Sequence, residues 1–183
     1  MGVLLAFAPF IAFAVIDRLI GPTQGLFAAL IVSVALLVRD WVRPGRAPKI
    51  LEIGTALLFG GLALYTAFAG PIWSVIGVRL CVDIGLLLIV LISLAVGRPF
   101  TLQYAQEQVA SEFWGHPDFV RINNTITAVW ALAFFVMVIA ELALLYLPGV
   151  PHGVGVVAIV LALVGAVKFT GWYPEHAKGL HNS

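Results

Sequence analysis

A chain of 183 residues that is 62% hydrophobic and only 10% charged cannot clothe a water-soluble surface, since about a quarter of an ordinary soluble domain is charged. Its formal net charge of +1 comes without a polybasic run, which excludes nucleic-acid binding by phosphate neutralisation. The single cysteine, Cys81, excludes a disulfide framework or a cysteine metal centre within one chain.

At about 20 apolar residues per crossing, the length accommodates five or six crossings and little else. The expected class is therefore an all-α polytopic membrane bundle forming one domain over residues 1–183. The opening stretch MGVLLAFAPFIAFAVIDR lacks the basic leader of a cleaved signal peptide and reads as a retained first helix over about 3–20. Position 6 is Ala6, not the Ser or Thr of the myristoylation pattern. Pro9 removes a backbone hydrogen bond and predicts a bend.

The turn GPTQG at 21–25 leads to a second helix over about 24–42, which ends in Arg39-Asp40-Trp41. A charged connection, RPGRAPK at 43–49, precedes a third helix over about 50–69. In it Ala56, Gly60 and Gly61 offer a small-residue surface for close packing. After Gly70-Pro71 the fourth helix covers about 72–96.

Residues 96–125 form the longest polar passage. Beyond Gly97-Arg98-Pro99, the helical spacing of Leu102, Ala105, Val109 and Phe113 predicts a short amphipathic helix over about 101–114 at the membrane interface. Glu107 and Glu112 make it acidic, which suits the protein's own inner face or a partner better than anionic lipid. Gly115-His116-Pro117 breaks it, and Pro117 belongs in the first turn of the next helix. The fifth span covers about 125–147; PGVPHG at 148–153 turns into the sixth, about 154–172, and a Pro-containing tail holds His176 and His181.

The uncharged Gly/Pro turns alternate with charged connections, which gives three hairpins closed on one side. Arg39, Arg43, Arg46, Lys49, Arg98, Arg121, Lys168 and Lys178 fall at the open side, leaving Arg18 and Arg79 toward the turns. The positive-inside rule then places the open side and both termini in the cytoplasm. A five-crossing alternative lays the short first segment flat at the interface.

Ionisable residues within apolar runs are informative because each costs at least about 2.5–3.5 kcal/mol at a helix centre. Arg79 and Asp83 are four apart and share a helix face. Asp83 lies near the midplane of the fourth helix, with Arg79 about 7 Å toward the tight turns. Glu141 lies about 7 Å from the centre of the fifth span on the same side, and Asp17 and Arg18 reach that half as well.

These five residues form a candidate binding or ion-pair cluster, with Tyr65 and Trp73 as lining. Three acids against two bases leave one carboxylate to be protonated or to meet a cation, water or an amine-bearing headgroup. The alternative is a self-neutralising structural network. No GxSxG, HExxH, P-loop or Asp-rich magnesium pair occurs, and His116 with Asp118 reads as a turn rather than a ligand pair. No catalytic residue, metal or cofactor is expected.

The RDW end of the second helix, GRPF after the fourth, and HPDFVRINNTITAVWALAFFVMVIAELALLY resemble, distantly, the intracellular septation protein A family of bacterial inner-membrane proteins. The likeness runs in order and spacing from about Phe7 to Trp172, and its specific matches are Gly97, Arg98, Pro99, Pro117, Arg121, Asn123 and Trp130. Glu141 stands where the family usually has Asn, and the acidic connector stands where the family's is basic. A divergent branch is the expectation. The resemblance implies a role in envelope maintenance or cell division, exercised through other membrane proteins and without established catalysis.

Arg98, Arg121, Asn123 and Asn124 are the candidates for an inner interface. The lipid bilayer is the other partner, and self-association stays open. The leading alternative is a small transporter or lipid-handling protein that uses the outer cluster, with 98–124 as its inner gate.

Overall fold

The computed structural model describes residues 5–43, 47–69, 74–147, 149 and 151–179. Regular structure among the described residues is entirely helical: α1 (Ala8–Leu19), α2 (Pro22–Val42), α3 (Ile50–Ala69), α4 (Val75–Ala95), α5 (Phe100–Gln106), a 3-10 turn (Ser111–Phe113), α6 (Pro117–Tyr146) and α7 (His152–Gly179). Five of these, α2, α3, α4, α6 and α7, are long and apolar enough to cross a membrane, because 20 residues at 1.5 Å each span about 30 Å. The chain is thus read as a multi-pass membrane protein. With 12 residues, α1 alone covers about 18 Å.

Helix boundaries correct three sequence expectations. Pro9 does not bend a helix interior, because α1 starts at Ala8 and places Pro9 in the first turn, where a missing N–H costs nothing. The segment 21–25 is mostly helix: Gly21 is the N-cap of α2, with φ 147°, and Pro22 occupies its first turn. That backbone region is open in practice only to glycine, so the reversal between α1 and α2 is very tight. The C-terminal tail is also helical as far as Gly179, passing through Pro174. Trp73, Arg46 and His181 lie outside the described residues.

Two compact units divide the chain, 1–89 and 90–183. In the first, α1 lies along α2 with almost no space between them. A Cβ added to Gly25 would meet the backbone nitrogen of Asp17 and the carbonyl oxygen of Phe13 at 3.1 Å. Phe13, Leu26, Ala29, Phe59, Ala63, Val78 and Val82 form the core, where the Phe10 and Phe13 rings meet Phe59 at 5.1 and 6.0 Å.

Close packing of α3 on α4 is reciprocal: Ile89 fills the space beside Gly54, and Leu58 fills that beside Gly85. The two contacts run in opposite chain directions, so the helices are antiparallel. Of the glycines expected to do this, Gly60 has only Leu30 in ordinary contact at 3.6 Å, and Gly61 faces open space.

In the second unit, Gly97 ends α4 through a paired cap. With Gly97 at φ 67°, its N–H bonds to the Leu94 carbonyl and that of Arg98 bonds to Ser93, both at 3.0 Å. This is the Schellman arrangement, which satisfies carbonyls orphaned at the helix end. The Ser93 hydroxyl donates to the Val90 carbonyl at 2.7 Å and accepts the first N–H of α5, from Phe100, at 3.2 Å.

The amphipathic helix is shorter than its spacing predicts, seven residues in place of about fourteen. Its buried residues are Phe100, Thr101, Leu102 and Tyr104, while Phe113 is exposed. A carboxylate at Glu107 opposes the negative end of a helix dipole, and the Trp114 indole N–H takes the Val109 carbonyl at 3.0 Å. Pro117 begins α6, which runs 30 residues, and α7 packs antiparallel to it. The markers are Leu144 against Gly155 and a 2.9 Å hydrogen bond from the Trp130 indole to Thr170.

Substitution of Gly97 by Ala should cost about 1–2 kcal/mol, the left-handed penalty for a residue with a Cβ. Asn should cost less. Thermal unfolding of the detergent-solubilised protein, followed by tryptophan fluorescence, measures both.

Candidate functional site

Charged groups buried within the apolar helices are the natural place to look for chemistry. In the first unit, Asp17 on α1 has a fully buried side chain and is met by Arg79 of α4. Both Nε and Nη2 of the arginine reach a single carboxylate oxygen, Oδ2, at 2.9 and 2.6 Å. A short, charge-assisted contact of this kind fixes α1 to α4.

The structure thus joins Asp17 and Arg79 of the expected cluster. Asp83 is buried one turn along α4 from Arg79, Arg18 is exposed on α1, and Tyr65 is exposed on α3. Glu141 is buried on α6, in the second unit.

A second and denser cluster joins the end of α2 to the start of α3. Asp40, Lys49 and Glu52 are all buried. The Lys49 ammonium donates to Asp40 Oδ2 and lies 3.5 Å from Glu52 Oε1. Arg39 completes it, with Nε at 2.8 Å and Nη2 at 2.7 Å from Asp40 Oδ1 and Nη2 at 4.0 Å from Glu52.

Helix electrostatics explain the arrangement. Glu52 stands in the first turn of α3, where the dipole favours an anion, whereas Asp40 stands in the last turn of α2, where it does not. Asp40 accordingly has two cations on it. Lys49 also gives its carbonyl to the Ile53 N–H at 3.0 Å, so the connection enters α3 with the lysine directed inward.

Sequence reasoning missed this cluster by counting Arg39 and Lys49 only as charges for orientation. The available signal was that Asp40 and Glu52 flank the basic connection, one at each end.

A third polar group lies in the second unit. Thr101 Oγ1 of α5 shares a hydrogen bond with Thr127 Oγ1 at 2.7 Å and donates to the Asn123 carbonyl at 2.9 Å. The Asn123 amide donates to the Phe119 carbonyl at 2.8 Å. Of the expected inner-interface residues, Asn123 is thus buried and used to hold α5 against α6. Arg98 and Arg121 are exposed, the latter 3.6 Å from Asp118, and Asn124 is half-buried.

One face of α2 is open and apolar along Leu30, Val34 and Val38, with Arg39 and Arg43 at its end. Among the described residues no group of three or more His, Cys, Asp or Glu could hold a metal ion. No family model, curated protein or solved structure matches this chain.

Replacing Lys49 by Met removes the buried cation between Asp40 and Glu52 and should cost about 3–5 kcal/mol, the usual consequence of breaking a buried pair from one side. Adding Glu52→Gln to that variant should recover part of the loss. Removing both partners of the other pair, Asp17→Leu with Arg79→Met, should destabilise less than Asp17→Leu alone. The measurement is again the thermal transition in detergent.

Proposed function

We propose that this chain is a six-crossing protein of the bacterial inner membrane, with three helical hairpins and both termini cytoplasmic. It acts by lateral association with other membrane proteins of the envelope, in the manner the septation-protein resemblance implies. Support for the sixth crossing comes from α1, which lies along the length of α2 instead of crossing its end. Arg39, Arg43 and Lys49 at one end of the α2–α3 pair supply the positive charge that orients it.

The observation that carries the reading is the lopsided burial of α7. Only 11% of its most apolar stretch is buried, against 28–33% in the other four long helices. Val157, Val160, Leu161 and Val164 are all exposed along it. Meanwhile Asp17, Arg79, Asp40 and Lys49 are committed to one another, as suits a framework more than a catalyst.

A second reading, a small transporter built on the outer cluster, is favoured by Asp17 Oδ1. This oxygen is buried and accepts no hydrogen bond among the described residues, which makes it a place for an amine or another hydrogen-bond donor.

Single cysteines at Val157, Leu161 and Val164, introduced over Cys81→Ser, should cross-link to other proteins in native membranes. A cysteine at Gly155, which is buried, should not. Monomer alone at every position would reject the association and leave the transporter reading in its place.

A further inference from the structure

We propose that two aromatic belts hold the second unit at a fixed depth in the bilayer: Trp172 and Tyr173 near the end of α7, and Tyr146 at the other end of the pair, where α6 stops. The inference rests on the multi-pass reading and not on the association role.

The relative height of α6 and α7 comes from two contacts. Leu144 fills the space beside Gly155, and the Trp130 indole reaches Thr170. From the first contact to the second the rise is about 21 Å along α6 and about 22.5 Å along α7, at 1.5 Å per residue. The helices therefore keep step. Trp172 stands level with Ala128, His176 with Asn124, and Tyr146 with the start of α7.

These levels coincide with a change of composition. On α6, Pro117 to Thr127 carries Asp118, Arg121, Asn123 and Asn124, whereas Ala128 to Tyr146 has Glu141 as its one charge. The apolar part rises about 27 Å, and Val154 to Trp172 on α7 rises the same. That is close to the roughly 30 Å hydrocarbon layer, so Trp172 and Tyr146 lie at its two faces. Lys168, the one charge in the α7 stretch, is exposed one turn inside Trp172, and its stem is long enough to carry the ammonium to the same face. Pro174 falls outside the layer. It lacks the N–H that would meet the Thr170 carbonyl, a loss that water at the surface makes good and lipid does not.

The rings suit that position. Trp172 and Tyr146 are 54% and 70% exposed. Trp172 is stacked on His176 at 4.5 Å, and Tyr173 on Phe169 at 4.8 Å. An amphipathic ring at the headgroup level needs no enclosing pocket, only exposure at the right height. Thr101 is bonded to the Asn123 carbonyl and to Thr127, so α5 lies in the same headgroup layer. Pro117 stands about 16 Å outside the hydrocarbon.

The test places single spin-labelled cysteines, over Cys81→Ser, in the purified full chain in phosphatidylcholine liposomes. Arg121, Ala128, Leu132, Val164, Gly171 and Glu175 are exposed sites for them. Collision with oxygen, which concentrates in hydrocarbon, is compared with collision with a water-soluble nickel chelate. Leu132 and Val164 should favour oxygen, Arg121 and Glu175 the nickel chelate, and the preference should cross over near Ala128 and Gly171. Oxygen preference at Arg121 and Glu175, or nickel preference at Leu132 and Val164, overturns the assigned depth. So does exclusion of both reagents at Gly171, which would put that surface against protein.

Anchoring is read by repeating the scan in thin dimyristoyl and thick dierucoyl phosphatidylcholine bilayers. With both belts present the α7 crossover should move by no more than about 1.5 Å, one residue of rise. In Trp172→Ala with Tyr173→Ala it should move by about 5 Å, one helical turn, whereas Leu161→Ala should leave it fixed. Trp172→Phe with Tyr173→Phe, which keeps the apolar bulk and removes the polar groups, is the second variant if the alanine pair fails to fold by circular dichroism and gel filtration. A crossover that moves equally in wild type and belt variants, or in neither, overturns the belts.

Discussion

A charge placed among hydrocarbon chains has no water to turn to, and the penalty for leaving it alone exceeds most packing gains within a helix. Two pairings answer this constraint in the first unit. Asp17 with Arg79 ties α1 to α4, and Asp40 with Lys49 ties α2 to the entry of α3. Each joins elements that apolar packing would bring together without fixing their register. Dispersion between smooth helices is weakly directional, whereas a guanidinium on a carboxylate tolerates little displacement. The ion pairs thus determine how the helices align, and the side chains of Phe13, Phe59, Val78 and Val82 fill the space so defined.

Close approach is the second requirement, because lipid tails are as apolar as the helices and give them no hydrophobic reason to associate. Glycines supply it at selected points only. Gly54 and Gly85 accept Ile89 and Leu58, Gly25 admits the backbone of α1, and Gly155 accepts Leu144. Gly61 and Gly165 have nothing nearby, so the presence of a small residue does not identify a contact. What distinguishes the used glycines is a bulky aliphatic or backbone partner at the matching height, a property of two helices that neither sequence segment reveals alone.

This difference sets what could be read from residues. Helix positions were largely legible, since long apolar runs bounded by Gly and Pro admit few other structures in lipid. Local capping was partly legible: Pro117 opens α6 as its position predicted, but the helical spacing after Pro99 continued past the point where Glu107 and the Trp114 indole end α5. Pairing between distant segments was hardest. Depth along a helix set Arg79 level with Glu141 and put Asp17 only in the same half, and the Arg79 partner in the first unit proves to be Asp17; Asp40, Lys49 and Glu52 escaped notice because positive charges at helix ends are so readily assigned to orientation. The GRP stretch that carried the family resemblance proves to be a Schellman stop followed by a proline. Any membrane helix needing an abrupt end could arrive at it.

Arg39 and Asp40 show how one helix end can face the interior and the surface at once. As adjacent residues in a helix they point about 100° apart, which puts Asp40 in the interior with Lys49 while Arg39 borders the open apolar face of α2. The aspartate's hold on Arg39 couples the two environments. Anything that moved Lys49 away would take one of two cations from Asp40 and tighten that carboxylate's hold on Arg39. One carboxylate thus couples a buried lysine to an arginine at the edge of the apolar face of α2.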